Sequence, residues 1–345
     1  MRVVVVGGSG NVGTSLVAAL ERDPGVTEVV GLARRVPTWK PGTKTTWRPA
    51  DVAEADLAGS FAGADAVVHL AWLMQPTRDP VATWRANALG SARVFRAAAE
   101  AKVTTLVYAS SIGAYSPGPK DRAVDESWPA HGWPNAAYAR EKAYVERLLD
   151  SFERDHPDMR VVRMRPGFIF KREAASHQRR LFAGPFLPNK LIGALPFVPD
   201  LPGMRLQVVH ADDAAEAYRL ALTSDVKGAV NLAADPVLGA ADLASLLDAR
   251  TVRMPAWLAR TALSAAWRAR LVPASPGMLE MLLGLPVMDV TKARTELGWQ
   301  PRHNALATVR ELIEGLYGGA GMDTPPLEAH PSRVSELSTG VGRRP

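Results

Sequence analysis

The sequence predicts an α/β fold: a parallel, doubly wound sheet with crossover helices, carrying a smaller and mostly helical C-terminal lobe. Three observations predict it. The chain opens on Arg2 followed by four consecutive valines, the unbroken β-branched run of a strand covered on both faces. Short apolar runs then alternate with helical periodicity as far as about residue 165, the pattern of successive strand–helix–strand units. Beyond about residue 168 the alternation fails, and residues 181–204 are crowded with Pro, Gly and Leu.

Residues 2–6 form the first strand, and Gly7 to Gly13 a glycine-rich turn. Asn11 to Arg22 reads as a helix with Val12, Leu16, Val17 and Leu20 on one stripe. Residues 27–32 and 65–71 read as strands, 80–101 as an Ala-rich helix and 105–111 as another strand. A charged helix follows at 137–156, then a strand at 160–164 that Pro166-Gly167 ends. A strand and helix at 206–223 and a strand at 229–234 are assigned back to the first unit. The expected division is 1–167 plus about 206–234 for the sheet domain, and about 168–205 plus 235–317 for the lobe. Residues 318–345 are polar and Pro-rich without apolar periodicity, and are expected to be a flexible tail.

Composition bounds the chemistry. At 345 residues, with 47% hydrophobic and 22% charged, the chain matches ordinary globular proteins and buries a sizeable core without cross-links. It has no cysteine, which excludes disulfides, thiolate metal sites and a cysteine nucleophile. The seven histidines show no i, i+4 pair, so no metal is expected, and no G-x-S-x-G elbow marks a hydrolase. The N-terminal apolar run is too short for a signal peptide, and no stretch approaches the ~18 apolar residues of a membrane span. A cytoplasmic location is the default expectation. The net charge of +6 is spread along the chain, with short pairs at Arg34-Arg35, Lys171-Arg172, Arg179-Arg180 and Arg343-Arg344. No nucleic-acid motif accompanies them, so neither a nucleic-acid nor a membrane partner is expected.

The turn Gly7-Gly8-Ser9-Gly10-Asn11-Val12-Gly13 lies directly between the first strand and the first helix. Glycines there permit a tight turn and close backbone approach to a pyrophosphate, and the helix N-terminus supplies N–H donors. Its alternative is a plain strand-to-helix turn. At the end of the second strand, where an acidic residue would bind the ribose of NAD, stand Ala33, Arg34 and Arg35. Arginines there attract a 2′-phosphate, so NADP is expected over NAD, unless the pair is only a solvated loop.

Tyr138-Ala139-Arg140-Glu141-Lys142 is a Tyr-x-x-x-Lys. On a helix, i and i+4 share a face, and a nearby ammonium would lower the phenol pKa so that Tyr138 could give or take a proton. Lys142 would also reach the nicotinamide ribose. By itself the spacing is weak, but Ser110 and Ser111 end a buried strand 27 residues earlier, at the sheet edge where ligands bind.

The chain resembles the extended short-chain dehydrogenases, the NAD-dependent epimerase/dehydratase family, over about residues 1–316. The resemblance rests on an ordered set: the glycine turn, Asp51-Val52, His69-Leu70-Ala71, Asn87-Ala88-Leu89-Gly90, Ser110-Ser111 with Tyr115, Tyr138 with Lys142, and Arg165-Pro166-Gly167. Val209-His210-Ala211-Asp212-Asp213, Asp289-Val290-Thr291-Lys292-Ala293 and Leu297-Gly298-Trp299 follow. It implies a Rossmann-type fold and a cofactor bound by Gly7, Gly10, Asn11, Val12, Gly13 and the residues above. Asp51 and Val52 would meet the adenine, and Leu70 and Ala71 line the dinucleotide path. Asn87 would lie behind the nicotinamide, and Pro166 and Gly167 would approach its amide. Ser111 and Tyr138 would bind the reacting oxygen. His210 and the Asp pair after it are structural in this family, and a homodimer through the Tyr-Lys helix is common there.

The sequence also departs from the family. Members acting on sugar nucleotides carry an aromatic-Asn pair after the sixth-strand Arg, whereas Phe168, Ile169 and Phe170 follow here. Ile112 and Gly113 stand after Ser111 where a dehydratase needs two carboxylates. Trp72, Leu73 and Met74 follow the third strand, and Trp128 and Trp133 precede Tyr138. Trp72, Met74 and Trp133 are candidates for an apolar substrate pocket, or for ordinary core packing. The expectation is an NADP-dependent reductase or dehydrogenase of a small, mostly apolar carbonyl or alcohol. A sugar-nucleotide epimerase and a non-catalytic NADP-binding sensor are the alternatives.

Overall fold

The computed structural model describes residues 1–75, 78–184 and 196–329. Seven parallel strands form its central sheet: β1 (Arg2–Val6), β2 (Glu28–Ala33), β3 (Thr45–Pro49), β4 (Ala66–His69), β5 (Thr105–Ala109), β6 (Arg160–Pro166) and β7 (Gly228–Leu232). Their spatial order is β7-β6-β5-β4-β1-β2-β3. The chain leaves β1 to one side for β2 and β3, then returns to its other side for β4. Strand order therefore reverses at β1, which opens a crevice at the strands' carboxyl ends.

The valine run sits at the centre because both faces are covered. Val3 and Val5 pack with Leu16, Val17 and Leu20 of α1 (Asn11–Arg22). Val4 and Val6 pack on the opposite side with Val94 and Phe95 of α2 (Gly90–Glu100) and Val145 and Leu149 of α3 (Ala137–Asp155). All four valines are at most 1% exposed, each worth on the order of 1.5–3 kcal/mol. The first face is completed by α4 (Ala211–Thr223), through Ala214, Ala217 and Tyr218, and by Trp299, whose Nε1 donates to Asp213 O at 2.8 Å.

Three expectations need correction, and one element was not foreseen. The helix expected over 80–101 is three pieces: Pro80–Trp84, a π-helical turn at Arg85–Leu89, and α2. A π turn inserts one residue into the helical ladder, commonly at a functional site, and this one carries the buried Asn87. The edge strand β3 was not anticipated, since every residue in it is at least partly exposed. The strand Leu206–His210 does not join the central sheet. It lies in a separate three-stranded sheet, parallel to Phe168–Phe170 and antiparallel to Ala234–Leu238, while its helix α4 packs on α1. Finally, the flexible tail expected from 318 is docked over its first part. Leu327 is 0% exposed, Trp39 N donates to Asp323 O at 3.2 Å, and Arg180 donates to Pro326 O and Glu328 O. Residues 330–345, like 185–195 of the expected 181–204 loop, lie outside the described residues.

The rest of the lobe is mostly helical, with Ala175–Phe182, Ala240–Leu246, Ala256–Arg268, Pro276–Gly284, Thr291–Thr295 and α5 (Ala305–Gly318). A short parallel pair, Phe197–Asp200 with Arg250–Arg253, lies within it.

Candidate active site

At the end of β1 the backbone turns on Gly7, whose φ of +87° is in the left-handed region. A Cβ on Gly7 would stand 2.6 Å from Ala71 N, and one on Gly13 would stand 2.4 Å from Gly7 O. The turn closes only because both lack side chains. Gly10 caps α1 and has no side chain to satisfy the first-turn N–H groups, including those of Val12 and Gly13. Asn11 Nδ2 donates to Ile169 O at 2.9 Å, but its buried Oδ1 has no partner. Sequence reasoning missed Lys171. This buried ammonium reaches from the lobe to Thr14 Oγ1 at 2.6 Å and Ser15 Oγ at 3.1 Å, on α1. Only its place one residue past the Phe-Ile-Phe strand could have drawn attention to it.

Arg34 and Arg35 are exposed at the carboxyl end of β2. After β3, Asp51 Oδ1 accepts from Ala53 N at 3.0 Å, and Val52 O accepts from Arg93 Nε at 3.1 Å. Gly90 leaves room for Val52, whose Cγ2 is 2.8 Å from where a Cβ would be. Leu70 and Ala71 follow β4 directly against Gly7, with Leu70 N donating to Val6 O at 2.8 Å.

Tyr138 and Lys142 come one turn apart at the start of α3, as the spacing requires. Burial pushes the Tyr138 phenol up to about 12, against the opposing pull of the neighbouring Ser111 hydroxyl. Ser111 Oγ accepts from Gly113 N at 2.9 Å. Gly113 lets the serine turn approach the phenol ring, whose Cε1 is 2.7 Å from a hypothetical Cβ there.

Lys142 is placed differently from the expectation. Its Nζ donates to Ala109 O at 2.5 Å and lies 3.4 Å from the Trp72 ring centroid, but 5.9 Å from that of Tyr138. The expected lowering of the phenol pKa by this ammonium is therefore not what the geometry produces. Burial also drives Lys142 well below its usual value, with Glu146 and Glu141 opposing, which disfavours the charged ammonium that would lower the phenol. Trp72 stands over both groups, on the ammonium by its face and edge-on to Tyr138 at 5.8 Å.

Asn87 has its side chain fully engaged. Its Oδ1 accepts from Leu73 N at 2.7 Å, while Nδ2 donates to Leu73 O at 2.9 Å and Glu141 Oε2 at 2.6 Å. Glu141 also accepts from Thr83 Oγ1 at 2.6 Å. These bonds clamp the Trp72 loop and the π turn onto α3. Sequence reasoning missed Glu141 and also Glu146, which stands four residues after Lys142 on the same face. Glu146 is 0% exposed and grips Arg165 in a bidentate pair at 2.9 and 3.0 Å, with Ser110 Oγ at 2.5 Å and Arg163 at 3.1 Å. The helical spacing was the available signal.

Around Tyr138 the surroundings are apolar. Ile112, Trp133, Phe168, Met281 and Leu285 pack in one cluster with it, and Gly284 leaves room for the Trp133 ring, 2.3 Å from a hypothetical Cβ. Met74 is half-buried on the Trp72 loop. Pro166 is buried, and Gly167 N donates to Leu232 O at 2.9 Å. A Cβ on Gly167 would strike Gln207 O at 2.3 Å, so only glycine fits between the two sheets. His210 caps α4 by accepting from Asp212 N at 3.2 Å and stacks on His303 at 4.0 Å.

A sequence model of the NAD dependent epimerase/dehydratase family matches residues 3–233. An uncharacterized protein of Mycobacterium tuberculosis (strain ATCC 25618 / H37Rv) is 30% identical over 325 residues. That match takes in 93% of this chain and 31% of the relative, so the chain spans less than a third of that protein's length. A protein of Stigmatella aurantiaca, named 4-hydroxy-2-methyl-3-oxo-4-farnesyl-3,4-dihydroquinoline-1-oxide ketoreductase, is 29% identical over 353 residues, 95% of this chain and 100% of that one. Among solved structures, the UDP-glucose 4-epimerase of Thermus thermophilus in complex with NAD aligns with a TM-score of 0.67 at 23% identity, over 92% of this chain and 99% of that one. The UDP-glucuronic acid 4-epimerase of Bacillus cereus in complex with NAD gives 0.70 at 17%, over the same shares. At these identities the structural likeness establishes a common fold.

Proposed function

Because the chain belongs to the NAD dependent epimerase/dehydratase family, we propose that it is an NADPH-dependent reductase of a ketone on a largely apolar small molecule. The observation that carries this reading is the Tyr138–Ser111 pair at the sheet's carboxyl edge, set in an apolar cluster with Trp133, Phe168, Met281 and Leu285.

The residues present fit a dinucleotide. Side chains at Gly7 and Gly13 would fill the turn, and the buried Asn11 Oδ1, an acceptor without a partner, suits a hydroxyl donor of the ligand, leaving the backbone N–H groups of the turn for the phosphates. Gly7, Gly10, Asn11, Val12 and Gly13 would hold the pyrophosphate. Asp51, Val52, Leu70 and Ala71 would line the adenosine side, and Lys142, Pro166 and Gly167 the nicotinamide side. Arg34 and Arg35, exposed where an acidic residue would exclude a 2′-phosphate, favour NADP over NAD. When bound, the nicotinamide supplies the hydride.

The chain's own part is the proton and the orientation. Ser111 donates a hydrogen bond that holds the carbonyl oxygen beside the phenol. Tyr138, kept protonated by burial, gives its proton to that oxygen as negative charge develops there. With its phenol pushed up to about 12, Tyr138 carries its proton at neutral pH, the form that reduction requires. Trp72 and Trp133 supply apolar surface for the substrate's body, and the Stigmatella relative is itself named for a farnesylated ketone substrate.

The test is Tyr138→Phe, read as NADPH consumption with a panel of lipophilic ketones and as NADPH and NADH binding by fluorescence. Turnover should fall by about 10²–10⁴-fold while the NADPH Kd stays within about twofold. Near-full turnover would remove Tyr138 from the mechanism, and tighter binding of NADH would reverse the cofactor choice. A stoichiometric cofactor that never exchanges would transfer the reading to an epimerase.

A further inference from the structure

Between Asp248 and Glu280 the chain carries five arginines, at 250, 253, 260, 268 and 270, and neither an acidic residue nor a lysine. Two elements are built from it. The strand Arg250–Arg253 is exposed at all four residues. The helix Ala256–Arg268, thirteen residues long, buries none of them, although a surface helix of a globular domain ordinarily turns an apolar stripe to the core. Its sequence, AWLARTALSAAWR, is apolar apart from Arg260, Thr261, Ser264 and Arg268.

The apolar side chains left outside are large. Trp257 is 67% exposed, Leu258 42% and Leu271 51%. The neighbouring strand pair adds Phe197 and Val252, each 44% exposed. In its parallel register Phe197 faces Arg250 and Pro199 faces Val252, so these four share one side of the pair. All five arginines are exposed, and among the described residues Arg260 alone of them is drawn to an acid, Glu280 at 2.5 Å. Among the described helices this one alone buries no residue, and it exposes Trp257 and Leu258 together with Arg260 and Arg268.

We propose that this face docks peripherally on an anionic lipid bilayer. A second copy of the chain is a poor occupant, because it would bring five more arginines against the first five. A sheet of lipid phosphates answers both features, taking Trp257, Leu258 and Leu271 into the headgroup–acyl boundary and the arginines onto the phosphates. No described helix is long and apolar enough to cross a membrane. The contact is therefore interfacial, and it revises the expectation of no membrane partner. The docking helix is also braced to the candidate site. Arg78 lies 4.1 Å from the Trp267 ring centroid and donates to Trp267 O, while Gln75, three residues after Trp72, donates to Leu181 O at 2.9 Å. A substrate dissolved in the bilayer would meet the protein close to the loop that covers Lys142.

The test is co-sedimentation of the full chain with phosphatidylcholine vesicles, with and without phosphatidylglycerol. The anionic vesicles should bind about tenfold more protein, and added salt should weaken the binding. Trp257→Ser with Leu258→Ser, and separately Arg268→Gln with Arg270→Gln, should each cut that binding by about tenfold. All four side chains are exposed, so the thermal midpoint should not move, which separates lost docking from lost folding. Absence of binding to anionic vesicles, or full binding by both variants, would overturn the proposal. So would a concentration-dependent dimer that Trp257→Ser dissociates, since it would give the face to a second copy. None of these readouts uses catalysis, so the proposal stands or fails apart from the reductase reading.

Discussion

Tyr138, Ser111 and Lys142 are legible in sequence because chemistry fixes their types and the helix fixes their spacing. What each side chain touches is another matter, since Ala109, Trp72, Leu73 and Thr83 are brought in by tertiary folding. Asn87 illustrates the difference. The resemblance put it behind the nicotinamide but said nothing of its partners, and its amide holds Leu73 through both backbone groups and ties Glu141 besides. It acts as a positioning residue for the Trp72 loop. Asn87→Ala should leave two backbone groups and a carboxylate oxygen short of partners, at a cost of about 2–3 kcal/mol. The dinucleotide KM should rise more than kcat falls, because Leu70 and Ala71 lie on the same loop as Leu73. Thermal melts and steady-state kinetics measure the two effects. Asn87→Asp keeps an acceptor for Leu73 N but faces Glu141 with a second carboxylate, so it should recover none of the stability at neutral pH.

At the scale of elements, strands covered on both faces announce themselves, as the valines of β1 do. The edge strand β3 exposes at least part of every residue and gives no such signal. The strand Leu206–His210 reads like any buried strand, and nothing local says which sheet it joins. The π turn is equally silent, because its residues suit an α-helix. The glycine turn is legible as a motif, but its two roles separate only in three dimensions. At Gly13 a Cβ would meet backbone on both sides, Gly7 O at 2.4 Å and Gly8 C at 2.6 Å, whereas at Gly10 the nearest atom is Gly7 O at 3.6 Å. Gly13→Ala should therefore destabilise the fold by about 1–3 kcal/mol, since backbone cannot step aside. Gly10→Ala should leave the melting temperature nearly unchanged and weaken NADPH binding, because its methyl group stands where the pyrophosphate would approach. Calorimetry and fluorescence titration of the pair decide it, and equal loss of stability in both would refute the assignment.

For the whole molecule, the two faces of the sheet carry different kinds of cohesion. The α1 side is apolar through Val3, Val5, Leu16, Tyr218 and Trp299. The α3 side also buries charge and imidazole, with Glu146 between Arg163 and Arg165, and His69 beside Ser91 at 2.9 Å. The residue types of that network are legible in sequence but their burial is not, because it depends on β6 meeting α3. Both groups tie stability to pH, in successive windows. His69 is 1% exposed, and burial lowers it from 6.5 to about 3. Between those values the unfolded chain binds a proton that the folded chain refuses, so stability is complete above 6.5 and falls as pH drops toward 3. Glu146 is lowered from 4.5 to about 2, burial being outweighed by its bonds to Arg165, Ser110 and Arg163. Its contribution is complete above 4.5 and is lost as pH falls to about 2. One such proton is worth about 1.4 kcal/mol per pH unit. The His69 contribution should thus begin to decline near pH 6.5, ahead of the Glu146 contribution. His69→Gln keeps a partner for Ser91 and removes the titration, so it should flatten the decline between pH 6.5 and 4.5 by about that slope. The steeper fall below 4.5 should persist, because Glu146 is untouched. Urea unfolding at a series of pH values measures both segments, and an unchanged slope above pH 4.5 in His69→Gln would remove His69 as the source.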